Sequence, residues 1–418
     1  MTNTSVLLLG GRLADGRLVD LRVTDGVITD ISNATERSPR TGSQTSAGTV
    51  HHLNGWLLVP SLAEPHAHLD KALTAELVPN PGGDLMGAID AWVAASAAGH
   101  ITYDGIVERA IAAMDLLLVH GVTAVRTHVN VLESIGATAV KAVLEAASEF
   151  EGLLDVQVVA LCGTPLTGRD GAGTRAALAD ALEAGAHLVG GCPHLDPDGV
   201  GLIDIALRAA TEAGIGVDFH VDEMLDPTVL TLRDLARAVL TTGFAGRVAA
   251  SHCVTLGMQT AAVQREVSDL VAEAGIAVFP LPQTNLFLQG RAHQTGTPRG
   301  LTAVRALQEA GALVAAGGDN VQDPFNLVGR SDPLETAALM VMAGHQLPDV
   351  AFDMVSTNVR AALGLPVVSL EVGSPADLLA VDAPSIRGAI ADAPMSRRTF
   401  RRGRLVASAD QQTAVHRG

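Results

Sequence analysis

The sequence predicts an α/β protein: a (β/α)8 TIM barrel with a small β-sandwich formed by the N- and C-terminal segments. Short apolar runs alternate with Ala- and Leu-rich stretches of helical periodicity across most of the chain, which is typical of a barrel. The two ends instead show short strand patterns with turn dipeptides, and neither end is long enough to close a core alone. We therefore expect residues 1–56 and 366–418 to build the sandwich and residues 57–365 to build the barrel.

Two hairpin signals predict the N-terminal part of the sandwich. Asp15-Gly16 and Asp25-Gly26 separate short apolar strands, and Asp-Gly readily adopts the positive φ angles of a two-residue turn. The Ser-, Thr- and Gly-rich segment 37–48 that follows is predicted as a surface loop. At the other end of the chain, residues 376–381 and 404–407 have the apolar pattern of strands between turns.

Eight apolar runs are the candidate barrel strands, and the stretches between them have apolar residues at helical spacing. The runs lie at residues 56–59, 122–127, 156–161, 187–190, 216–220, 247–251, 276–281 and 312–316. Helices are predicted at 138–149, 173–183, 202–213 and 302–310. The apolar residues are mostly Ala, Val and Leu, with only 3% aromatic residues, and small branched side chains suit strands that are buried on both faces.

Charge and cysteine content exclude several classes of partner. The chain of 418 residues has a formal net charge of −17 and no long basic run, so neither nucleic acid nor an anionic membrane is an expected partner. Its three cysteines form no CxxC pair, which is typical of a reducing compartment. The start of the chain has no charged segment followed by an apolar run, and we expect a cytoplasmic location.

Histidine and aspartate residues follow four of the predicted strands. Run one leads into His66 and His68, run five ends at His220, run six is followed by His252, and run eight leads into Asp319. Residues two apart on an extended strand point to the same face, so the first two histidines can both face the barrel lumen. Barrel strands bring their carboxyl ends together at one mouth, where these side chains are expected to converge. Three imidazoles and a carboxylate suit one divalent metal ion, Zn²⁺ or Fe²⁺, with a position open for water.

Six short motifs stand in order along nearly the whole chain. They are PHAHLDK at 65–71, HVDE at 220–223, SHC at 251–253, NLFLQGR at 285–291, GGDNVQDPFN at 317–326 and GSPADLLAV at 373–381. Together they resemble the cytosine deaminase branch of the amidohydrolase superfamily. The resemblance implies a mononuclear site with His66, His68, His220 and Asp319 as ligands. Binuclear relatives carry a carboxylated lysine at the end of strand four, where this chain has VGGC at 189–192.

The resemblance also implies a reaction, the hydrolytic removal of an amine from a ring carbon of an N-heterocycle. In that reaction Asp319 accepts a proton from the metal-activated water, His252 hydrogen-bonds to the attacking oxygen, and Glu223 protonates a ring nitrogen. The expected substrate is a small aminated pyrimidine, triazine or pterin. A helix-start role for Glu223 is the alternative.

Five residues are the expected substrate contacts: Lys71, His128, Gly163, Asn320 and Phe325. Cytosine deaminases carry a glutamine after strand three that reads the pyrimidine edge, whereas residues 159–163 of this chain are VALCG. Asn320 stands where a second aspartate is usual, and Phe325 where a tryptophan is usual. A site without that amide leaves the edge of cytosine unpaired, so cytosine itself is not the expected substrate.

Several alternatives stay open at this point. Lys71 and Asp70 can form a local salt bridge, His128 can be a packing residue, and the three cysteines can be either small buried hydrophobes or thiolate ligands. The same barrel can instead open a cyclic amide of the lactam, imidazolone or hydantoin type. A non-catalytic barrel that only binds a ligand is a further alternative. Family habit implies a homo-oligomer.

Overall fold

The computed structural model describes residues 5–34 and 48–416. The predicted surface loop at 37–48 therefore lies outside the described residues, apart from Gly48. Among the described helices, none combines the length and the apolar character that crossing a lipid bilayer requires.

The described strands fall into two sheets, and the helices lie mainly between the strands of the second sheet. The strands are β1 (Ser5–Arg12), β2 (Leu18–Thr24), β3 (Val27–Asn33), β4 (Thr49–His52), β5 (Leu57–Pro60), β6 (Leu62–Ala67), β7 (Val122–Val131), β8 (Asp155–Cys162), β9 (Leu188–Gly190), β10 (Gly216–Val221), β11 (Val248–His252), β12 (Ala277–Phe279), β13 (Leu378–Val381), β14 (Arg397–Arg401) and β15 (Arg404–Ala409). The helices are α1 (Leu85–Ala97), α2 (Tyr103–Val119), α3 (Thr138–Ser148), α4 (Ala172–Glu183), α5 (Gly199–Ala213), α6 (Thr231–Thr242), α7 (Val254–Gly257), α8 (Ala261–Glu273), α9 (Pro282–Leu288), α10 (Val304–Glu309), α11 (Pro333–Met342), α12 (Pro348–Met354), α13 (Thr357–Leu363) and α14 (Ile386–Asp392), with a short 3₁₀ helix at Pro193–Leu195.

Strands β6 to β12 form a parallel sheet in chain order, which is the wall of the predicted barrel. The eighth position is filled by an extended segment rather than a regular strand. Val314 bridges to Val278 of β12, and Asp319 bridges to Ala67 of β6, both in parallel orientation. The segment therefore contacts both edges of the sheet and nearly closes it. The barrel fold is confirmed.

The apolar run at 56–59 was wrongly assigned to the barrel. Strand β5 pairs antiparallel with β13, so it belongs to the terminal sheet, and the first barrel strand is β6. Only Ser61 separates the two strands. Since both are apolar and nearly contiguous, hydrophobicity alone could not separate them. The segment boundaries at residues 57 and 365 stay predictions.

The two ends of the chain combine into one mainly antiparallel sheet of order β15-β14-β13-β5-β1-β2-β3, with β4 paired to β1. The second Asp-Gly pair forms the predicted two-residue turn. Thr24 pairs with Val27, and the two residues between them, Asp25 and Gly26, have φ of 51° and 83°. A single buried cluster unites strands from both ends, including Leu8, Leu378 and Phe400. Neither end closes this core alone.

Candidate metal centre and active-site cavity

Three imidazoles converge at the mouth of the barrel. His66 lies near the end of β6, His68 comes directly after that strand, and His220 lies near the end of β10. The Nε2 atom of His220 lies 3.2 Å from the Nε2 atoms of both His66 and His68. All three side chains are buried, and burial lowers the pKa of each well below its usual value. The rings are therefore neutral, the form that a metal ion requires.

Hydrogen bonds to the far ring nitrogens set which nitrogen faces the centre. The Nδ1 atom of His68 lies 3.0 Å from the carbonyl oxygen of His128, which can only accept, so Nδ1 carries the proton. The Ser251 hydroxyl donates to the Asp218 carboxylate at 3.3 Å and accepts from His66 Nδ1 at 2.7 Å. In both histidines the Nε2 lone pair consequently points to the shared centre.

Asp319 completes this set from the extended eighth segment. Its Oδ1 atom lies 3.3 Å from His68 Nε2 and 3.6 Å from His66 Nε2. Ligands about 2.1 Å from one ion and separated by about 90–110° lie about 3.0–3.4 Å apart, so these spacings fit a shared ion. Among the described residues, Oδ1 has no hydrogen-bond partner although it is buried. An orphaned buried carboxylate oxygen facing imidazole lone pairs is the feature that a cation would satisfy.

His252 and Asp319 share an unusual backbone conformation. Their φ angles are 66° and 65°, in the left-handed region that non-glycine residues rarely adopt. Such backbone strain clusters at functional sites, where the surrounding fold must hold it. His252 Nδ1 lies 3.0 Å from Asn285 Oδ1, and its Nε2 atom lies 3.9 Å from Asp319 Oδ2. Burial lowers the pKa of His252 to about 4.

Glu223 lies beside the imidazole cluster. Its Oε1 atom lies 3.5 Å from His252 Nδ1 and has no hydrogen-bond partner among the described residues. Burial raises the pKa of Glu223 well above its usual value, and the nearby Asp319 carboxylate raises it further. The next helix, α6, begins only at Thr231, so Glu223 is not a helix-start residue. A buried carboxyl group with a raised pKa can carry a proton near neutral pH.

A cavity of about 180 Å³ opens beside these groups. Its lining includes His68, His220, Glu223, His252 and Asp319 at one end. Apolar side chains of α1 also line it, namely Leu85, Ile89, Trp92 and Val93. The space therefore joins the candidate metal centre to a surface that suits a flat organic ring.

Four of the five predicted substrate contacts line this cavity: Lys71, Gly163, Asn320 and Phe325. The fifth prediction, His128, needs correction. Its ring stacks on His66 with centroids 3.9 Å apart and lies 3.5 Å from Asp218, away from the cavity lining. These contacts favour the packing alternative for His128.

The remaining alternatives can also be decided from contacts. Asp70 accepts a hydrogen bond from the Asn130 backbone at 3.0 Å and forms no ion pair with Lys71. Cys162 and Cys192 line the cavity, and burial raises the pKa of both thiols to about 12. Among the described residues, neither thiol belongs to a group of side chains close enough to share a metal ion, which favours small buried side chains over thiolate ligands.

Sequence reasoning missed the groups that hold the histidines. Ser251, Asp218 and Asn285 each contact a ring nitrogen of the cluster or the side chain beside it. Arg126 in turn pairs with Asp218 at 2.8 Å. Ser251 and Asn285 lie in the motifs SHC at 251–253 and NLFLQGR at 285–291, and Asp218 lies two residues before His220, but none of the three was given a role. The apolar wall from α1 was missed as well.

Comparison with known proteins places this geometry in a family. The family model described as "Amidohydrolase family" matches residues 103–407. The pterin deaminase of Rhizobium rhizogenes is 33% identical over 388 residues, covering 91% of this chain and 86% of the relative. The N-isopropylammelide isopropyl amidohydrolase of Pseudomonas sp. (strain ADP) is 26% identical, covering 84% and 86%.

Solved structures agree with this assignment. The crystal structure of 5-methylcytosine deaminase from Klebsiella pneumoniae liganded with 5-fluorocytosine has a TM-score of 0.86 and 29% sequence identity, and the match covers 98% of this chain and 99% of that one. The similarity therefore includes both the barrel and the terminal sheet. The chain belongs to the amidohydrolase family, as the resemblance of its motifs predicted.

Proposed function

We propose that this protein is a metal-dependent hydrolytic deaminase of an aminated N-heterocycle. The observation that carries the proposal is the convergence of His66, His68, His220 and Asp319 beside the protonatable Glu223, at one end of an apolar-walled cavity. Relatives named as a pterin deaminase and a 5-methylcytosine deaminase support it. The overall reaction replaces the amino group of a ring carbon with oxygen from water and releases ammonia or an alkylamine.

The proposed cofactor is one divalent ion, Zn²⁺ or Fe²⁺, held by the three histidines and Asp319. When bound, such an ion makes water acidic enough to supply a nucleophile near neutral pH. Side chains of the protein would then transfer the protons of the reaction. Asp319 Oδ2 faces His252 Nε2 at 3.9 Å, so the two flank the position from which water attacks. In this proposal Asp319 accepts a proton from that water, and His252 hydrogen-bonds to its oxygen.

Glu223 is the proposed acid that protonates a ring nitrogen of the substrate. Its carboxyl group lines the cavity, and its raised pKa lets it hold the proton that a ring nitrogen needs as the carbon becomes tetrahedral. The proton that Asp319 accepted from water can then go to the leaving amine, and Glu223 regains a proton as the new hydroxyl becomes a carbonyl. Lys71, Gly163, Asn320 and Phe325 are the proposed substrate contacts. The lack of a glutamine in VALCG at 159–163 argues against cytosine, and a pterin-type ring is the first candidate.

The metal-loaded protein can be tested directly with a panel of heterocycles. The panel holds pterin, cytosine, 5-methylcytosine, an amino-triazine and two cyclic amides, and release of ammonia or alkylamine is measured for each. We expect release from at least one amino-heterocycle and its loss after chelation of the metal. Opening of a cyclic amide with no amine release would favour the ring-opening alternative. No turnover of any kind would favour the non-catalytic binding barrel.

The role of Glu223 has a sharper test. Glu223→Gln keeps the size of the side chain but removes its transferable proton. We expect kcat to fall by about 10²–10⁴ while metal content is unchanged. Glu266→Gln, at an exposed glutamate of α8, is the matched control and should leave kcat intact. Full turnover in Glu223→Gln with metal bound would contradict the mechanism.

Two wider expectations accompany this function. The three cysteines are free thiols, which suits the cytoplasmic location that we propose. A homo-oligomer is proposed from the habit of the family, and size-exclusion chromatography with light scattering would test it.

A further inference from the structure

We infer that Lys71 recognises an oxo oxygen on the substrate, so the substrate class is an aminated heterocycle that also carries a ring oxo group. This inference rests on the proposed deaminase function and adds a specificity determinant to it. The observation behind it is a buried ammonium group that lines the cavity with aromatic rings as its close contacts.

The surroundings of Lys71 are unusual for a lysine. Its side chain is only 4% exposed, in contrast to the usual exposure of lysine at protein surfaces. The Nζ atom lies 4.7 Å from the ring centroid of Phe325 and 6.0 Å from that of Trp92. These cation–π contacts hold the ammonium in place against the cavity. They leave its three N–H donors without acceptor oxygens.

Carboxylates surround Lys71 without pairing with it. Burial raises the pKa values of Asp70, Glu223, Asp319 and Asp323, and the charge of Lys71 offsets part of that rise, so these groups lie within its electrostatic reach. Yet among the described residues no carboxylate oxygen lies within 4.0 Å of the Lys71 Nζ atom, the distance at which the two would form an ion pair. A buried charge that lacks hydrogen-bond partners is costly. An acceptor brought by the ligand would satisfy it.

Two polar groups on the cavity wall already donate within the protein, and a third is a weak donor. The Asn320 amide donates to Asp323 at 2.7 Å, and the Gly163 backbone N–H donates to the Val131 carbonyl at 2.9 Å. The Cys162 thiol contacts the Ala160 carbonyl at 3.8 Å and is a weak donor in any case. The Asn130 amide and the Thr164 hydroxyl also line the cavity, and both are neutral donors. Lys71 is a charged donor on the same wall, and a hydrogen bond from a charged group is about twice as strong as one between neutral groups.

The charge balance of the site favours an oxo oxygen over a full anion. Asp70 and Asp323 lie within electrostatic reach of Lys71 but outside the cavity lining. Their carboxylates already offset part of the ammonium charge, so the ligand does not have to bring a full negative charge. A lactam oxygen carries only partial negative charge, accepts a hydrogen bond from an ammonium group well, and belongs to a flat ring that can lie against Phe325.

The experiment compares two substrates that differ only in the oxo group, 2-amino-4-oxopteridine and 2-aminopteridine. In the wild-type protein we expect kcat/KM for the oxo compound to be about 10²-fold higher, which is the usual effect of a hydrogen bond to a charged group. Lys71→Met should collapse this ratio towards one. Lys71→Arg keeps a charged donor and should keep part of the preference. Lys141→Met, at an exposed lysine of α3, is the matched control and should leave the ratio unchanged.

The outcomes separate this inference from the proposed function. Failure of the wild-type protein to release ammonia from any member of the wider panel would overturn the function itself. Turnover of both pteridines at similar kcat/KM by the wild type would overturn the role of Lys71 alone, whether or not the variants fold. A Lys71→Met protein that binds metal normally and keeps the wild-type ratio would overturn it as well.

Discussion

At the contact between the barrel and the terminal sheet, buried charges are paired, whereas at the barrel mouth they are not. Arg397 of β14 is fully buried, and its guanidinium meets both oxygens of Asp332 at 2.9 and 2.8 Å. Two further N–H groups reach the carbonyl oxygens of Pro394 and His120. Four of the five N–H groups of this guanidinium thus have acceptors, and the pair joins the sheet to the helices of the barrel.

Buried polar atoms at the mouth are left without partners instead. Among the described residues, Glu223 Oε1, His252 Nε2 and Asp319 Oδ1 have no hydrogen bond. Folding alone gains nothing from burying such groups, since each loses its contacts with water. The Arg397–Asp332 pair therefore stabilises the fold, whereas the unpaired atoms of Glu223, His252 and Asp319 are available to bind a ligand. Three changes test this contrast.

The largest effect is expected from Asp319→Asn, which removes a proposed metal ligand. We expect loss of the metal and a fall in turnover of about 10³-fold or more, since a metal ion contributes several kcal/mol to such reactions. The metal-free variant should be no less stable than metal-free wild type, because the change removes a buried charge without a partner. Metal analysis, ammonia release and urea unfolding measure the three quantities. A clear loss of stability in the metal-free variant would contradict the contrast.

A smaller effect, on stability rather than turnover, is expected from Arg397→Met. The change leaves the buried Asp332 unpaired and should lower the free energy of unfolding by about 3–5 kcal/mol. Turnover per bound metal ion should stay at the wild-type value. Arg305→Met is the control, because Arg305 is 89% exposed in its ion pair with Glu309, and exposed pairs contribute at most about 1 kcal/mol. Equal losses in the two variants would show that the buried pair has no special role.

The smallest effect is expected from Ser251→Ala, which removes the hydroxyl that orients His66. Partners of this kind typically contribute about 10–100-fold to metal affinity, measured here by competition with a chelator. Ser268→Ala is the matched control, because Ser268 is fully buried and its hydroxyl has no partner among the described residues. Unchanged metal affinity in Ser251→Ala would mean that His66 is oriented by its other contacts.

Much of the site could be predicted from local pattern. Spacing in the sequence placed His66 and His68 on one face of a strand, and alternation of apolar runs with helices placed His220 and Asp319 at the same mouth. The helices α3, α4, α5 and α10 also lie where their periodicity predicted them. Such inferences hold because helix and strand geometry depend on residues a few positions apart. In a barrel, moreover, the carboxyl ends of all the parallel strands lie at the same mouth.

Contacts between distant residues required the tertiary structure. The apolar character of residues 57–60 is the same whether they pair with β13 or join the barrel, and only the pairing decided it. His128 lies within β7, as His66 lies within β6, yet its ring stacks on His66 and lies 3.5 Å from the Asp218 carboxylate. The sequence by itself therefore determined which chemical groups reach the mouth of the barrel. Their orientation, their partners and the unpaired ammonium of Lys71 depend on side chains that meet only after the chain has folded.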